Sequence, residues 1–475
     1  MIQPSPRNVL LLAWQNTWER RRNLPAILST SGGTQRTFAQ IETESRELAH
    51  LFARFAPGSV IGVQIGNSES WPALLLALFR AHLVPLPLGR HMEAPELRIT
   101  LETCRVSALV RLENDALEVS TENTNPANAL QWDAPVPQFL KLTSGTTSAP
   151  RAIRFQAAHL VADGENICAT MGITEGDLNF GVIPFSHSYG FSNLLVPLLC
   201  RGVPLVASED RMPRAILNDL VRTGATVFPG MPFFFQKFVE LQNTPELPAL
   251  RLCISAGAPL IPTTAEQFTQ RFGCKIHSFY GSSECGGIAY DASPETHYEE
   301  GFVGTALKGV KLETRDEPGP ITVRSAAVGD GYFPEANPAV LAEGRFVPSD
   351  LVEKTPRGLR LVGRASDVIN IAGRKLNPVE VETRLAAFPG VRQVVVFGVP
   401  SSLRGEEAVA CMVGDGIEAS AVLRFCKGAL SQWQMPRAIW VVPEIATNDH
   451  GKISRRVLAA EYLRTRELNG NGRPK

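Results

Sequence analysis

The sequence predicts an α/β fold: a large N-terminal domain of doubly wound mixed sheets with a β-rich subdomain, then a small α+β C-terminal domain. Three observations carry this expectation. Short apolar runs such as Val60-Ile61-Gly62-Val63-Gln64-Ile65 alternate with segments at helical spacing, the signature of a parallel sheet wound by helices. After Asp291 the texture changes to short alternating segments rich in glycine and proline. At Gly363-Arg364-Ala365-Ser366-Asp367 it changes again, and roughly 110 residues follow that mix helix and strand candidates behind a charged hinge. We therefore expect an N-terminal domain over 1–365, with its β-rich part at about 292–362, and a C-terminal domain over 366–475.

The elements follow in order. The apolar run 9–14 leads into Glu19-Arg20-Arg21-Arg22 with no small-residue cleavage pattern, so it reads as a first helix rather than a leader. Apolar residues at 38, 41, 48, 51, 52 and 55 predict a helix closed by Pro57-Gly58, with a buried strand over 60–65. A helix over 71–82 and a strand over 83–88 come next, and the polar stretch 112–137 reads as weakly structured. Further on, helices are expected at 157–171, 191–200 and 215–223, and strands at 180–184, 203–207, 226–228, 252–255 and 275–280. The C-terminal part reads as helices at 378–388 and 421–430 with strands at 394–399, 409–413 and 438–443; the polar tail after 468 reads as disordered.

Composition excludes several classes. The chain has 475 residues, with 47 Lys+Arg against 47 Asp+Glu, so no global field recruits nucleic acid or an anionic membrane. The eight cysteines are scattered without a CxxC pair, which argues against a zinc site and a disulfide framework and fits reduced thiols in a cytoplasmic protein. The most apolar region, 71–88, is interrupted by Arg80, His82, Pro85 and Pro87, so no integral membrane segment is expected. No Walker A pattern is present, since Ala446 stands where Gly451-Lys452-Ile453-Ser454 would need a glycine, and no GxGxxG joins a strand to a helix.

The densest chemistry lies in Thr143-Ser144-Gly145-Thr146-Thr147-Ser148-Ala149-Pro150-Arg151. Hydroxyls, a glycine and a cation at the tip of an apolar-flanked hairpin suit an anion cradle built from backbone N–H groups. A solvated Ser/Thr turn is the alternative for the stretch taken alone. It is not alone. Pro184-Phe185-Ser186-His187-Ser188-Tyr189-Gly190, Ser255-Ala256-Gly257-Ala258-Pro259-Leu260 and Tyr280-Gly281-Ser282-Ser283-Glu284 follow. Then come Pro348-Ser349-Asp350, Gly363-Arg364, Gly373-Arg374-Lys375 and Gly451-Lys452-Ile453-Ser454-Arg455-Arg456.

With these segments in this order, the chain resembles the adenylate-forming superfamily of acyl- and aryl-CoA synthetases, carrier-loading adenylation domains and firefly luciferases. The resemblance covers nearly the whole chain. It implies Mg²⁺-ATP-dependent activation of a carboxylic acid to an acyl adenylate, release of pyrophosphate and transfer of the acyl group to a thiol, with a C-terminal domain that rotates as a mobile lid. It implies that Thr143, Ser144, Gly145, Thr146 and Thr147 hold the β- and γ-phosphates, with Arg151 in place of the usual lysine and Ser148 in place of the usual glycine. Arginine keeps the charge and adds a bidentate fork. By the same resemblance Glu284 positions Mg²⁺, and Ser283, where threonine is usual, offers a hydroxyl near the α-phosphate. Tyr280, Gly281 and the turn Ala256-Gly257-Ala258 border adenine. Asp350 and Arg364 address the ribose, Ser366 marks the hinge, and Gly373 with its neighbours meets pantetheine or CoA phosphates. Lys452 would supply the cation needed between two reacting anions, and His187 would gate the carboxylate.

His187 stands where amino-acid-activating relatives have an aspartate. A pocket wall of Tyr189, Met231, Phe233, Phe234, Ala256, Gly257 and Gly286, with no buried cation evident, fits a neutral fatty or aromatic monocarboxylic acid. The expected acceptor is CoA. An acyl carrier protein bearing phosphopantetheine is the alternative, and a non-catalytic adenylate-binding homologue is the reading of a different class.

Overall fold

The structure, a computed structural model, describes residues 8–114, 116–121, 130, 132, 135–143, 150–314, 318–401, 403–427, 430–447 and 453–468, without the side chains of 366, 467 and 468. The tip of the hydroxyl-rich loop (Ser144, Gly145, Thr146, Thr147, Ser148, Ala149) and Lys452 lie outside the described residues. The described residues divide into two compact units. One is drawn from Met1–Glu313, Thr322–Pro348 and Thr355–Leu359, the other from Thr314–Ile321, Ser349–Lys354 and Arg360–Lys475.

In the first unit, the apolar run Val60–Gln64 is a strand with parallel neighbours on both sides, Val84–Pro87 and Val106–Glu113. Such a strand is buried on both faces and so reads as a continuous apolar run. Ala116–Ser120 adds an antiparallel edge. That strand falls in the stretch expected to be weakly structured. Its residues alternate between exposed and half-buried, so it has the polar composition of a solvent-facing edge.

Helix Phe38–Phe52 begins at a reciprocal cap: Gln40 N–H donates to Thr37 Oγ1, and Thr37 N–H to Gln40 Oε1. Helix Trp71–Arg80 is buried from 71 to 79, which accounts for its apolarity. Among the described residues no helix is long and apolar enough to cross a membrane.

The main sheet of this unit runs Thr34–Thr37, Pro25–Leu28, Leu205–Ala207, Asn179–Gly181, Val227–Gly230, Leu252–Ser255, Ile276–Ser282, Gly286–Tyr290, Phe302–Ala306. From Pro25–Leu28 to Ile276–Ser282 the strands are parallel, and the last two pairings are antiparallel. In a separate sheet Ala152–Phe155 pairs with Phe139–Leu142 on one side and Gly331–Phe333 on the other. The expected hairpin around the hydroxyl-rich loop is therefore present in its two strands. All eight cysteines are unpaired, seven of them buried.

In the second unit, strands Arg374–Leu376, Ile369–Ile371, Gly405–Gly414 and Val391–Ser401 are antiparallel, and Ala438–Val441 joins Gly405–Gly414 in parallel. Helices Pro378–Ala386 and Ala419–Cys426 bury Val381, Leu385, Val422 and Cys426 in one core. Helix Arg455–Leu468, not expected from the sequence, brings Leu458 to a second core with Phe397 and Val409. The α/β class, with a large sheet domain and a smaller C-terminal one, holds.

Candidate active site

The parallel strands of the main sheet set the geometry. Three of them end in the segments singled out from the sequence: Asn179–Gly181 before 184–190, Leu252–Ser255 before 256–258, and Ile276–Ser282 carrying Tyr280 and Gly281. Ligands of open α/β sheets bind beyond such carboxyl ends. There Ala256 is buried while Gly257 and Ala258 are exposed, and Tyr280 is buried behind an exposed Gly281.

The segment from 182 to 190 is held by side chains rather than by strand pairing, which corrects the strand expected at 180–184. Asn67 Nδ2 lies 2.9 Å from Gly181 O, 3.1 Å from Ile183 O and 2.9 Å from Ser208 O, while its Oδ1 accepts from Phe185 N–H at 2.8 Å. His187 then caps the next turn, its Nδ1 accepting from Tyr189 N–H at 3.2 Å. A neutral ring bonded this way carries its proton on Nε2.

The helix expected at 191–200 opens as a π turn over Phe191–Leu195 and continues as α-helix over Val196–Arg201. Pro197 has no N–H for the carbonyl of Asn193, and Asn179 Nδ2 supplies that donor at 3.3 Å. Gly190 is needed for closeness: a Cβ there would stand 2.2 Å from Pro184 O. Gly190→Ala should therefore cost about 1–3 kcal/mol of stability by overpacking, read as a lower urea midpoint at unchanged slope.

Glu284, in the turn after Ile276–Ser282, is fixed from two sides. Ser282 Oγ donates to its Oε2, and Tyr332 Oη donates to its Oε1 at 3.1 Å. Tyr332 sits on strand Gly331–Phe333 beside the hydroxyl-rich hairpin, and the Arg151 guanidinium lies 4.7 Å from its ring centroid. Burial, and then the Glu284 carboxylate, push the Tyr332 phenol above its ordinary range, so it remains a donor. Thr143 N–H donates to Arg151 O at 2.9 Å and closes the base of the loop. Ser283 is half-buried in the same turn as Glu284.

Tyr189 reaches under the strand ends, its hydroxyl donating to Ile254 O at 3.1 Å, with its ring 5.8 Å from that of Phe279. Of the expected pocket wall, Phe233 is 49 % exposed and Phe234 is buried in a ring cluster with Phe228 and Phe238. No cation to bind a second carboxylate was evident in the sequence, and the structure does place one buried cation behind the 184–190 segment. Lys141 is 5 % exposed, and its Nζ donates to Ser188 Oγ at 3.2 Å.

In the second unit, Arg364 Nε donates to Asp350 Oδ1 at 2.7 Å, so the two residues assigned to the ribose by resemblance are neighbours. Ala372 and Gly373 both have positive φ, 50° and 81°, and form the tight turn between Ile369–Ile371 and Arg374–Leu376. Arg455 donates to Asp367 Oδ2 at 2.6 Å and to Glu382 at 2.9 Å, anchoring the start of the C-terminal helix three residues after Lys452.

The family model for the AMP-binding enzyme matches residues 14–333, and that for the AMP-binding enzyme C-terminal domain matches residues 380–452. The chain belongs to the AMP-binding enzyme family. A probable CoA ligase of Humulus lupulus is 27 % identical over 86 % of this chain and 87 % of its own. An oxalate–CoA ligase of Arabidopsis thaliana is 26 % identical over 92 % and 95 %. Among solved structures, ATP-bound MatB from Rhodopseudomonas palustris has the same fold, with a TM-score of 0.84 at 24 % identity over 95 % of this chain and 98 % of that one.

Within this AMP-binding enzyme, Glu284 has the donor chemistry of a Mg²⁺ site. It is a single hard carboxylate oriented by two hydroxyls, and Mg²⁺ is commonly held by one or two carboxylates with substrate phosphates completing the shell. Sequence reading missed Asn67, Lys141 and Tyr332. For Tyr332 a signal existed, an aromatic in Gly331-Tyr332-Phe333 directly after Gly329-Asp330. Asn67 and Lys141 carried none, because each acts through contacts distant in sequence.

Proposed function

We propose that this AMP-binding enzyme is an ATP-dependent acid–thiol ligase that adenylates a neutral fatty or aromatic monocarboxylic acid and transfers the acyl group to CoA. The observation that carries the reading is the assembly of Glu284, Ser282, Tyr332 and Arg151 at the base of the hydroxyl-rich loop, next to strand ends that carry Tyr280 and the 256–258 turn. CoA-ligase relatives spanning most of both chains support the acceptor.

In the first half-reaction a carboxylate oxygen attacks the α-phosphorus, and the bond to the departing pyrophosphate breaks. Residues 143–147 and Arg151 grip the leaving group, and His187 closes over the carboxylate end. Tyr280 and the turn Ala256-Gly257-Ala258 border the adenine, with Asp350 and Arg364 for the ribose. Bound Mg²⁺ neutralises phosphate charge, and Glu284, held by Ser282 and Tyr332, is the residue that would hold it. Ser283 faces the same chemistry with a hydroxyl. In the second half-reaction the thiol sulfur attacks the acyl carbon, AMP leaves with the electron pair, and the thiol proton is released. The turn at Gly373 is the candidate contact for the pantetheine arm.

The body of the acid is assigned to the apolar side of Tyr189 and Phe279, whose rings lie 5.8 Å apart, together with Ala256 and Gly286 of the expected wall. The test is acyl transfer with CoA and with a holo acyl carrier protein, across straight-chain, benzoic, cinnamic and dicarboxylic acids. Expected is an acyl-CoA mass for a monocarboxylic acid. An acylated carrier without acyl-CoA, or a preference for dicarboxylic acids, contradicts the reading.

A further inference from the structure

Lys141 is an expensive way to fill a core position. It stands on strand Phe139–Leu142, two residues before Thr143, with its side chain turned inward. Its ammonium donates to two neutral hydroxyls, Ser188 Oγ at 3.2 Å and Ser192 Oγ at 3.4 Å. It lies 4.8 Å from the ring centroid of Phe155, on the other strand of the same hairpin, and 5.6 Å from that of Phe191. No carboxylate is in hydrogen-bond contact with it among the described residues, although Asp163 and Glu284 act on it through space. Burial pushes the ammonium below the ordinary lysine range, against the pull of those two carboxylates. Asp163 is itself buried, with Oδ1 accepting from Gly287 N–H at 2.9 Å and Oδ2 without a hydrogen-bond partner among the described residues.

A methionine would fill this volume without the desolvation cost, and replacing a buried charge by a well-packed apolar group is often neutral or stabilising. What the ammonium adds is a connection. One side chain spans both strands of the hairpin that leads into the phosphate loop and two hydroxyls on the turn that begins at His187. We propose that Lys141 is a positioning residue: it ties the His187 turn to the phosphate-loop hairpin through Ser188 and Ser192, and so holds His187 where the acid's carboxylate reacts. This rests on the acid-activating reading above, and extends it to a residue that none of the sequence motifs contains.

The test compares wild type, Lys141→Met, Ser188→Ala/Ser192→Ala and the triple variant by acid-dependent ATP–pyrophosphate exchange, thermal unfolding and hydrogen–deuterium exchange mass spectrometry. Lys141→Met should keep or raise the unfolding midpoint, while KM for the acid rises about tenfold, the scale of one lost charge-assisted hydrogen bond. The serine pair should show a similar rise, and the triple variant little more, because both changes remove one connection. Exchange in peptides covering 184–195 should quicken in Lys141→Met and stay unchanged in peptides of the second unit.

An acid KM within about twofold of wild type in both variants, or losses that add fully and track a falling midpoint, overturns the proposal. If Lys141→Met does not fold, the serine pair alone decides, since it leaves the ammonium in place. If wild type shows no acid-dependent exchange, the acid-activating reading has failed. Unchanged deuterium uptake at 184–195 would then overturn the Lys141 connection separately.

Discussion

Replacing Lys452 by alanine lowers adenylation by about 10²–10³-fold, the scale of one lost transition-state donor, while thioester formation from supplied acyl adenylate is largely kept. The attacking carboxylate and the α-phosphate are both anions, and their approach needs a cation near the bridging oxygens. The second step needs none there, because a neutral acyl carbon meets a thiolate and AMP departs. The neighbouring Arg455 cannot take over: its guanidinium is committed to Asp367 and Glu382. Arg456, the next cation along, is the second residue of the C-terminal helix. The check is a pair of rates, pyrophosphate release from ATP plus acid and CoA thioester formation from synthetic acyl adenylate. Equal losses in the two would show Lys452 to be one solvated cation among several. Unfolding of Lys452→Ala should match wild type.

Replacing Glu284 by glutamine comes second, lowering adenylation by about 10²-fold or more, since a metal's charge stabilisation is worth several kcal/mol. The substitution keeps the side-chain shape and a carbonyl acceptor for the Tyr332 hydroxyl, so the loss reports charge rather than packing. The Mg²⁺ concentration for half-maximal exchange should rise with it. Tyr332→Phe removes only the hydroxyl that orients Glu284, and should cost no more than about tenfold. A Glu284→Gln enzyme with unchanged Mg²⁺ dependence would remove Glu284 from its role. A Tyr332→Phe loss equal to that of Glu284→Gln would mean that orientation, not charge, is what the carboxylate supplies.

The legible parts of the fold were those whose physics is local. Val60–Gln64 and Leu252–Ser255 are buried on both faces, so their apolar runs announced them. Helix Pro262–Phe272 went unseen because only Thr264, Ala265 and Phe268 are buried and most of its other residues are polar. Ala116–Ser120 was hidden by the polar alternation of an edge strand. Pro197 disturbed the helix expected at 191–200 in a way that only the long-range donor from Asn179 explains.

The site divides along the same line. Asp350 and Arg364, named from motif order, are in hydrogen-bond contact. Asn67, Lys141 and Tyr332 are ordinary residues in ordinary contexts until the fold brings them to Gly181, Ser188 and Glu284. No spacing rule finds a side chain whose partner is 114 residues away, as for Asn67 and Gly181. Within the apolar run Phe233-Phe234-Phe235 burial differs by residue, Phe233 being exposed and Phe234 buried, since apolarity does not say whether a side chain faces ligand, solvent or core.

Acid-dependent exchange of labelled pyrophosphate into ATP tests the central claim most directly, because it reads the first half-reaction without regard to the acceptor. Incubated with Mg²⁺, ATP and a panel of fatty and aromatic monocarboxylic acids, the wild-type protein is predicted to return label to ATP only when an accepted acid is present, and to lose that exchange in Lys452→Ala. Exchange absent with every acid, or present without any, would contradict the account.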